Sequence, residues 1–311
     1  MDIKQLRYFL GVLEARSITK AADTMAIAQP ALGLQIRKLE DELGVDLLVR
    51  HSRGITPTEA GLRLAQHAES LLRQFDRMHQ DMVDFAGARR SLITVGMSET
   101  TTLLIAAALA ERIQLDHPTV RLTILEGSNR QLTEWLESDR VDIALTFEPP
   151  DDPELVCEPL VDELLHFIRP ISPGVEHRPI RFAEILGHDL ILASRPQQIR
   201  QLVDQQAQAV GRNVEPAFEI DSVRTIKEFV RRGLGSSVLP ISAVNNRIEA
   251  GQLDAILIVE PEITRTLHLV YAQRHKTSKP FLAVRTALRS IVAEMAKDPA
   301  NGWRAREKSA A

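Results

Sequence analysis

Two groups of side chains have types and spacings suited to chemistry, and both suggest binding rather than catalysis. The first surrounds Gln29-Pro30. Gln29, Gly33, Leu34, Arg37 and Lys38 lie on the polar side of a segment whose other side is apolar, and Arg50, His51 and Arg53 follow closely. A glutamine can form a bidentate pair with an adenine edge, worth about 1–3 kcal/mol of discrimination, and an outward leucine can meet a thymine methyl. Guanidinium groups at 37, 50 and 53 suit phosphates and make affinity salt-dependent. Gly33 costs about 1 kcal/mol relative to alanine in a helix, which is tolerable if it lets the helix approach a duplex. The second group is hydroxyl-rich: Ser98-Glu99-Thr100-Thr101-Thr102, Ser128, Thr146-Phe147 and Ser194-Arg195. Hydroxyls beside free N–H groups at a helix start suit a small carboxylate, and Arg195 can pair with an acid group.

The elements that must position the first group are short helices. Leu6, Phe9, Leu10 and Leu13 recur at helical spacing behind an Asp2 cap. Ser17 caps a second helix carrying Ala21, Ala22 and Met25, and Pro30 opens a third with Leu32, Ile36, Leu39 and Leu43 inward and Gly44 as its stop. Short helix, turn and longer helix with a polar outer face make a helix-turn-helix, whose second helix enters the major groove by its N-terminal end. Val45 to Thr56 reads as a basic hairpin turning at Gly54, a wing for phosphate or minor-groove contact.

Ser17, Ala21-Ala22, Ala28-Gln29-Pro30-Ala31-Leu32, Gln35-Ile36, Leu39-Glu40, Leu43-Gly44, Leu47-Leu48, Arg50 and Ile55-Thr56-Pro57-Thr58-Glu59-Ala60-Gly61 closely resemble the head of LysR-type transcriptional regulators. The resemblance implies a regulator that binds double-stranded promoter or operator DNA, with Gln29, Pro30, Gly33, Leu34, Arg37, Arg50 and Arg53 at the DNA. It also implies RNA polymerase as a partner at the promoter. Two departures bear on base preference. The family commonly has serine where this chain has Ala28 and Gly33, and often arginine where it has Leu34. A missing serine cap at 28 costs about 1 kcal/mol.

Thr56-Pro57-Thr58-Glu59 reads as a capping box with Thr56 as the cap, opening a long helix. Leu64, Ala68, Leu71, Phe75, Met78, Met82 and Phe85 follow at alternating spacings of four and three, a coiled-coil seam. Gly87 ends the helix and Arg89-Arg90-Ser91 reads as a hinge. The seam predicts self-association, with Leu64, Leu71, Phe75, Met78 and Met82 at the interface. A two-fold pair suits the reading of two half-sites, and the resemblance implies dimers that commonly assemble into tetramers.

Beyond residue 91 the pattern becomes strand–helix–strand. Strands are expected at Leu92–Gly96, Val120–Ile124, Val141–Phe147, Asp189–Ser194, Ala217–Ile220, Ser236–Leu239 and Leu267–Ala272. Helices are expected at Leu103–Leu115, Gln131–Glu137, Gln197–Val210, Ser222–Arg232 and near Pro280–Lys297. Such alternation implies parallel strands with right-handed crossovers. The whole is α/β with an all-α head: a winged helix-turn-helix over 1–58, a linker helix over 59–90, and a two-lobed α/β domain over 91–300 resembling periplasmic binding proteins. Lobe I covers 91–161 and 267–300, lobe II covers 162–266, and a frayed tail covers 301–311. Ligands in open α/β sheets bind outside the carboxyl ends of strands, which selects Ser98, Thr100, Thr101, Ser128, Thr146, Phe147, Ser194 and Arg195 as effector contacts. By resemblance, Ser98, Thr100, Ser128 and Thr146 match the family's ligand-contacting segments. The implied effector is a small molecule, anionic in this reading.

Composition fits. The chain has 311 residues, 44% hydrophobic and 26% charged, with a formal charge of −4, so a basic surface must be local. The single cysteine, Cys157, excludes a disulfide framework, has no neighbouring histidine and reads as a small hydrophobe. The nine histidines show no metal-ligand spacing, and there is no Gly-rich phosphate loop, nucleophile elbow or paired-carboxylate motif. The expectation is a non-enzyme with no metal and no cofactor other than its effector. Trp135 is expected against the sheet, and His177, Arg178 and Arg181 in a solvated loop. Met1-Asp2-Ile3-Lys4 lacks a basic-then-apolar signal and the longest apolar run, Leu103 to Ala110, is too short to span a bilayer. A cytoplasmic protein without membrane contact is therefore expected. The rival readings are a small-molecule-binding protein or enzyme on the α/β lobes with no gene-regulatory response, and a DNA binder that has lost effector response.

Overall fold

The structure, a computed structural model, describes residues 1–51, 54–85, 91–171, 178–245, 248, 250–275 and 278–306. Two units emerge, one of residues 1–92 with 134–141 and one of 93–133 with 142–311. The second division differs from the expected one, because 134–141 groups with the N-terminal unit.

The N-terminal unit opens with α1 (Ile3–Ala15), α2 (Ile18–Thr24) and α3 (Gln29–Leu43), followed by β1 (Leu48–His51), β2 (Gly54–Pro57) and α4 (Glu59–Phe85). Asp2 and Gln5 form a reciprocal capping box on α1, and Ser17 caps α2. Phe9, Val12, Ala21, Ala22, Leu32, Ile36 and Leu39 form one buried core with Leu47, Leu48 and Ile55 of the wing. The alanines leave α2 without bulk where it meets its neighbours. Leu43, expected inside, is exposed at the last turn of α3, beyond the reach of that core.

The wing is held by backbone satisfaction as much as by burial. Glu40 Oε1 accepts from the amides of Leu47 and Leu48 at 2.9 and 3.2 Å. Strands β1 and β2 pair antiparallel with His51 opposite Gly54. The cap of α4 is Thr58 rather than Thr56: Thr58 Oγ1 accepts from Gly61 N at 3.0 Å and donates to Asp46 O at 2.7 Å. Thr56 and Pro57 belong to β2, because pairing with β1 extends the strand through them. Along α4, Ala68 is buried and Leu64 packs on the head's own core. Leu71, Phe75, Met78 and Met82 form an exposed apolar row. The side chain of Phe85, and Gly87, Arg89 and Arg90, lie outside the described residues. Trp135 is half-buried under the Arg140 guanidinium, 4.7 Å from the ring centroid, rather than buried against a sheet.

From residue 91 onward the chain forms β3 (Ser91–Met97), α5 (Glu99–Asp116), β4 (Val120–Glu126), α6 (Asn129–Glu137), β5 (Ile143–Thr146), β6 (Leu155–Pro170), β7 (Ile180–Arg181), α7 (Phe182–Ile185) and β8 (Ile191–Leu192). It continues with α8 (Gln198–Ala209), β9 (Phe218–Glu219), α9 (Val223–Arg231), β10 (Ser237–Pro240), β11 (Leu253–Val259), β12 (Thr264–Ala272), α10 (Lys279–Met295) and β13 (Trp303–Ala305). The sheet order is β4-β3-β5-β12-β6-β11-β7, with β10 and β13 also on β6. Strands β3 and β5 are parallel, as the alternation implies.

Strands β6 and β11 carry no expectation from the sequence, yet β6 is central. Its first part pairs antiparallel with β12 and its last part with β10 and β11. The second strand set is therefore not purely parallel. Two cores sit on the two ends of β6. One gathers Val95, Met97, Ile105, Leu109, Leu267 and Leu288, and the other Leu165, Phe167, Phe182, Val203 and Ile258. The chain passes between them near Leu164 and Ile263 rather than at 161 and 267, because 162–164 and 264–266 still pair as β6 and β12. Trp303 is buried and β13 pairs with Val161 to Glu163, which corrects the frayed-tail expectation for 303–305; residues 307–311 lie outside the described residues. Arg181 lies in β7 and pairs with Glu260 at 3.0 Å, not in a solvated loop. Arg178 is exposed and His177 is outside the described residues.

A Cβ on Gly61 would lie 2.1 Å from Leu47 O. Gly61→Ala is expected to push α4 off the wing and destabilise the head by about 1–3 kcal/mol, read as a lowered urea midpoint for residues 1–85.

Candidate nucleic-acid interface and ligand cleft

In the N-terminal unit, α3 puts the first group of side chains on one open face. Gln29, Pro30, Leu34, Arg37 and Lys38 are exposed and Gly33 is half-exposed, while Leu32, Ile36 and Leu39 point into the core. The periodicity of 3.6 produces this split, since 29, 33 and 37 differ by four. A Cβ on Gly33 would meet nothing within 4 Å, so glycine there is not required by internal packing. Ala28, the residue before α3, supplies no side-chain cap. Arg50 and His51 extend from β1 and are exposed; Arg53 lies outside the described residues. Of the intervening acids, Glu40 faces the wing amides and Glu42 pairs with the amino group of Met1, so they are held away from the Gln29 end of the helix. Asp41 and Asp46 remain exposed.

In the second unit, a cavity of about 420 Å³ opens between the two cores, a volume suited to a small metabolite. Ser98, Thr100 and Ser128 line it, as expected. Four helices begin at its wall. α6 and α9 are closed by their own caps: Ser128 Oγ accepts from Gln131 N at 3.3 Å and Ser222 Oγ from Thr225 N at 3.4 Å. α5 and α8 have no side-chain cap. The start of α5 is thus open, whereas at α8 the Glu148 carboxyl accepts from the Gln198 N–H.

The remaining expected contacts do not line the cavity, and most support it from behind. Thr101 is buried with its Oγ1 2.9 Å from Ser98 Oγ. Thr146 is fully buried and donates to Asn129 Oδ1 at 3.1 Å. Phe147 stacks under the Arg265 guanidinium at 3.7 Å, and its carbonyl accepts from Gln198 Nε2 at 2.7 Å. Ser194 donates through N and Oγ to Asp221 Oδ1 at 2.8 and 2.7 Å, which holds the Asp221 carboxyl below the usual carboxylate range. Arg195 turns away. It is exposed, pairs loosely with Asp204 at 3.7 Å, and borders a separate surface depression with Arg200 and Glu219.

The sequence points to the segment Gly127-Ser128-Asn129, which does line the cavity, but sequence reasoning missed Gln131, Gln197, Gln198 and Arg265, which line it too. Gln197-Gln198 had a legible signal, being the helix start two residues past Arg195. Arg265 had none, because only the pairing of β12 with β6 brings it there. Its charge is already engaged. Arg265 Nε and Nη2 donate to Glu163 Oε2 at 2.7 and 2.6 Å. Glu163 is buried and its Oε1 accepts from Trp303 Nε1 at 3.0 Å and Ser242 Oγ at 3.2 Å. Glu148, beside Asn129 and Arg265, has its carboxyl pushed up by burial. Cys157 donates weakly to Pro150 O at 3.8 Å and burial pushes its thiol up, away from the reactive thiolate.

Known proteins give the same partition. Residues 3–62 match the family described as bacterial regulatory helix-turn-helix protein, lysR family, and residues 86–293 match the LysR substrate binding domain. The nitrogen assimilation regulatory protein nac of Klebsiella aerogenes is 28% identical over 94% of this chain and 95% of its own. The HTH-type transcriptional regulator YeiE of Escherichia coli K12 is 30% identical over 88% and 93%. The fold resembles that of full-length CbnR in complex with its target DNA, with a TM-score of 0.71 at 20% identity, covering 94% of this chain and all of that one.

Glu163→Leu is expected to leave Arg265 unpaired in a buried position and to lower stability by roughly 3 kcal/mol, checked by chemical denaturation of the full-length chain.

Proposed function

The chain belongs to the LysR family of DNA-binding transcriptional regulators with an effector-binding domain, and from that premise we propose how its residues divide the work. The Gln29 end of α3 reads base edges in the major groove. Pro30, Gly33 and Leu34 lie against the duplex, and Arg37, Arg50 and Arg53 hold phosphates. The observation that carries this reading is the exposed Gln29–Arg37 face beside the cationic wing, with Glu40 and Glu42 engaged elsewhere.

Leu71, Phe75, Met78 and Met82 form the pairing face of α4. Four large apolar side chains in a row on a helix disfavour a free monomer. Leu64 stabilises the head rather than the pair. A dimer, assembling further to a tetramer, places two heads on two half-sites, with RNA polymerase as the partner at the promoter. The hydroxyls of the cleft and the uncapped start of α5 take a small effector with at least one anionic group. The effector acts by binding two arrangements of the chain unequally, which is the only way a ligand shifts such an equilibrium. The chain acts without catalysis and without a metal or further cofactor, in the cytoplasm where its DNA lies. Among the described residues no helix is long and apolar enough to cross a membrane.

Gln29→Ala is expected to weaken operator binding by about 1–3 kcal/mol while leaving binding to random DNA unchanged in a gel-shift titration. An equal loss on both would refute the base-reading role. Leu71→Asp is expected to give a sedimentation mass of one chain; an unchanged mass removes α4 as the pairing element.

A further inference from the structure

Arg16 ends α1 in the left-handed region, at φ 50° and ψ 25°, with its own N–H donating to Leu13 O at 3.3 Å. A Cβ is disfavoured in that conformation, and the residue that ends a helix this way is usually glycine, sometimes asparagine. The arginine side chain does not compensate within the head. It is exposed, and its guanidinium has no hydrogen-bond or ion-pair partner among the described residues. A glycine would close the helix with less strain, so the head's own fold does not account for an arginine here.

The backbone of the same residue holds the wing. Arg16 O accepts from Ile55 N at 3.1 Å, which lays the turn between α1 and α2 along the edge of β2 away from β1. Gly54 permits the approach: a Cβ there would stand 2.9 Å from Arg16 O, at a φ of +133°. Across the hairpin Ile55 faces Arg50 and Gly54 faces His51, and both cationic-type side chains are exposed. Neighbouring strands lie about 4.8 Å apart, so the backbones of Arg16, β2 and β1 fall within roughly 10 Å. Phosphates recur about every 3.4 Å of axis along one DNA strand. Exposed groups on both sides of β2 therefore make a rim wide enough to meet more than one phosphate.

We propose that Arg16 is a further DNA-contacting residue of the head. Its guanidinium holds a backbone phosphate beside the wing, and its carbonyl fixes the wing where Arg50 meets a neighbouring phosphate. The side chain at this helix end serves the duplex rather than the fold. This rests on the reading of the wing as a phosphate contact.

The test is a fluorescence-anisotropy titration of the full-length protein with a labelled random-sequence duplex over a series of KCl concentrations, paired with a melting curve for each variant. Arg16→Gly is expected to reduce the slope of log affinity against log salt by about 0.9 and to weaken binding roughly threefold to tenfold, the loss of one phosphate contact. Its melting temperature is expected to stay level or rise, because glycine accepts the left-handed helix end. Arg16→Lys keeps the charge and is expected to keep the parental slope. Arg50→Ala reports on the wing itself. If it lowers the slope while Arg16→Gly leaves slope and affinity at parental values, the proposal falls and the wing reading stands. If neither variant changes the slope, both fall. Weakened binding by Arg16→Gly and Arg16→Lys alike, with lowered melting temperatures, also overturns the proposal, since it marks a structural role.

Discussion

The buried Glu163 carboxylate is the constraint around which the second unit is organised. It sits in β6 near the point where the chain leaves one core for the other. There it accepts from Arg265 of β12, Trp303 of β13 and Ser242 just after β10. A buried charge is tolerated only when its lone pairs are filled and a counter-charge is close, and here four elements do this together. The same contact fixes Arg265 over Phe147, at the wall of the cleft. Ligand-facing and structural groups are thus joined by one ion pair, and a change at the wall is felt at the strand crossing.

The head follows a different economy, in which short polar side chains close backbone ends. Asp2, Ser17 and Thr58 each cap a helix, and Glu40 fills the wing amides. With backbone groups satisfied internally, the outer face of α3 is left free for a partner. Of the head's four helices α1 to α4, α3 starts without a side-chain cap, and its first residues are those offered to DNA. In the cleft α6 and α9 are closed by serine caps and α8 by the Glu148 carboxyl on the Gln198 N–H, which leaves the start of α5 open.

Legibility varied with the range of the interactions concerned. Helices α1 to α3 were visible in the spacing of Leu6, Phe9, Leu32, Ile36 and Leu39, because their apolar stripe and caps are local. The alternation of β3, α5, β4, α6 and β5 was visible for the same reason. Strand β6 was not: Glu158, Asp162 and Glu163 interrupt its apolar residues, and their partners Tyr271, Thr266 and Arg265 lie more than a hundred positions away. Thr56 was mistaken for a cap because Pro57 and Glu59 imitate a helix start; pairing with β1 overrode that local signal. In the cleft, Ser98, Thr100 and Ser128 were found by the rule for strand ends. Thr146 and Phe147 were displaced to a supporting role because they lie behind Asn129, Gln198 and Arg265.

The sequence by itself determined the helix-turn-helix, its exposed Gln29 face, the apolar row on α4 and the existence of an α/β ligand domain, since each rests on periodicity, capping or turn chemistry within a few residues. Tertiary structure alone decided which side chains share the cleft, that Arg195 faces away while Arg265 takes its place, and that the C-terminal Trp303 closes the strand crossing. Those outcomes depend on which distant strands pair, and pairing between distant strands is set by the summed burial and hydrogen bonding of the whole sheet rather than by any local pattern.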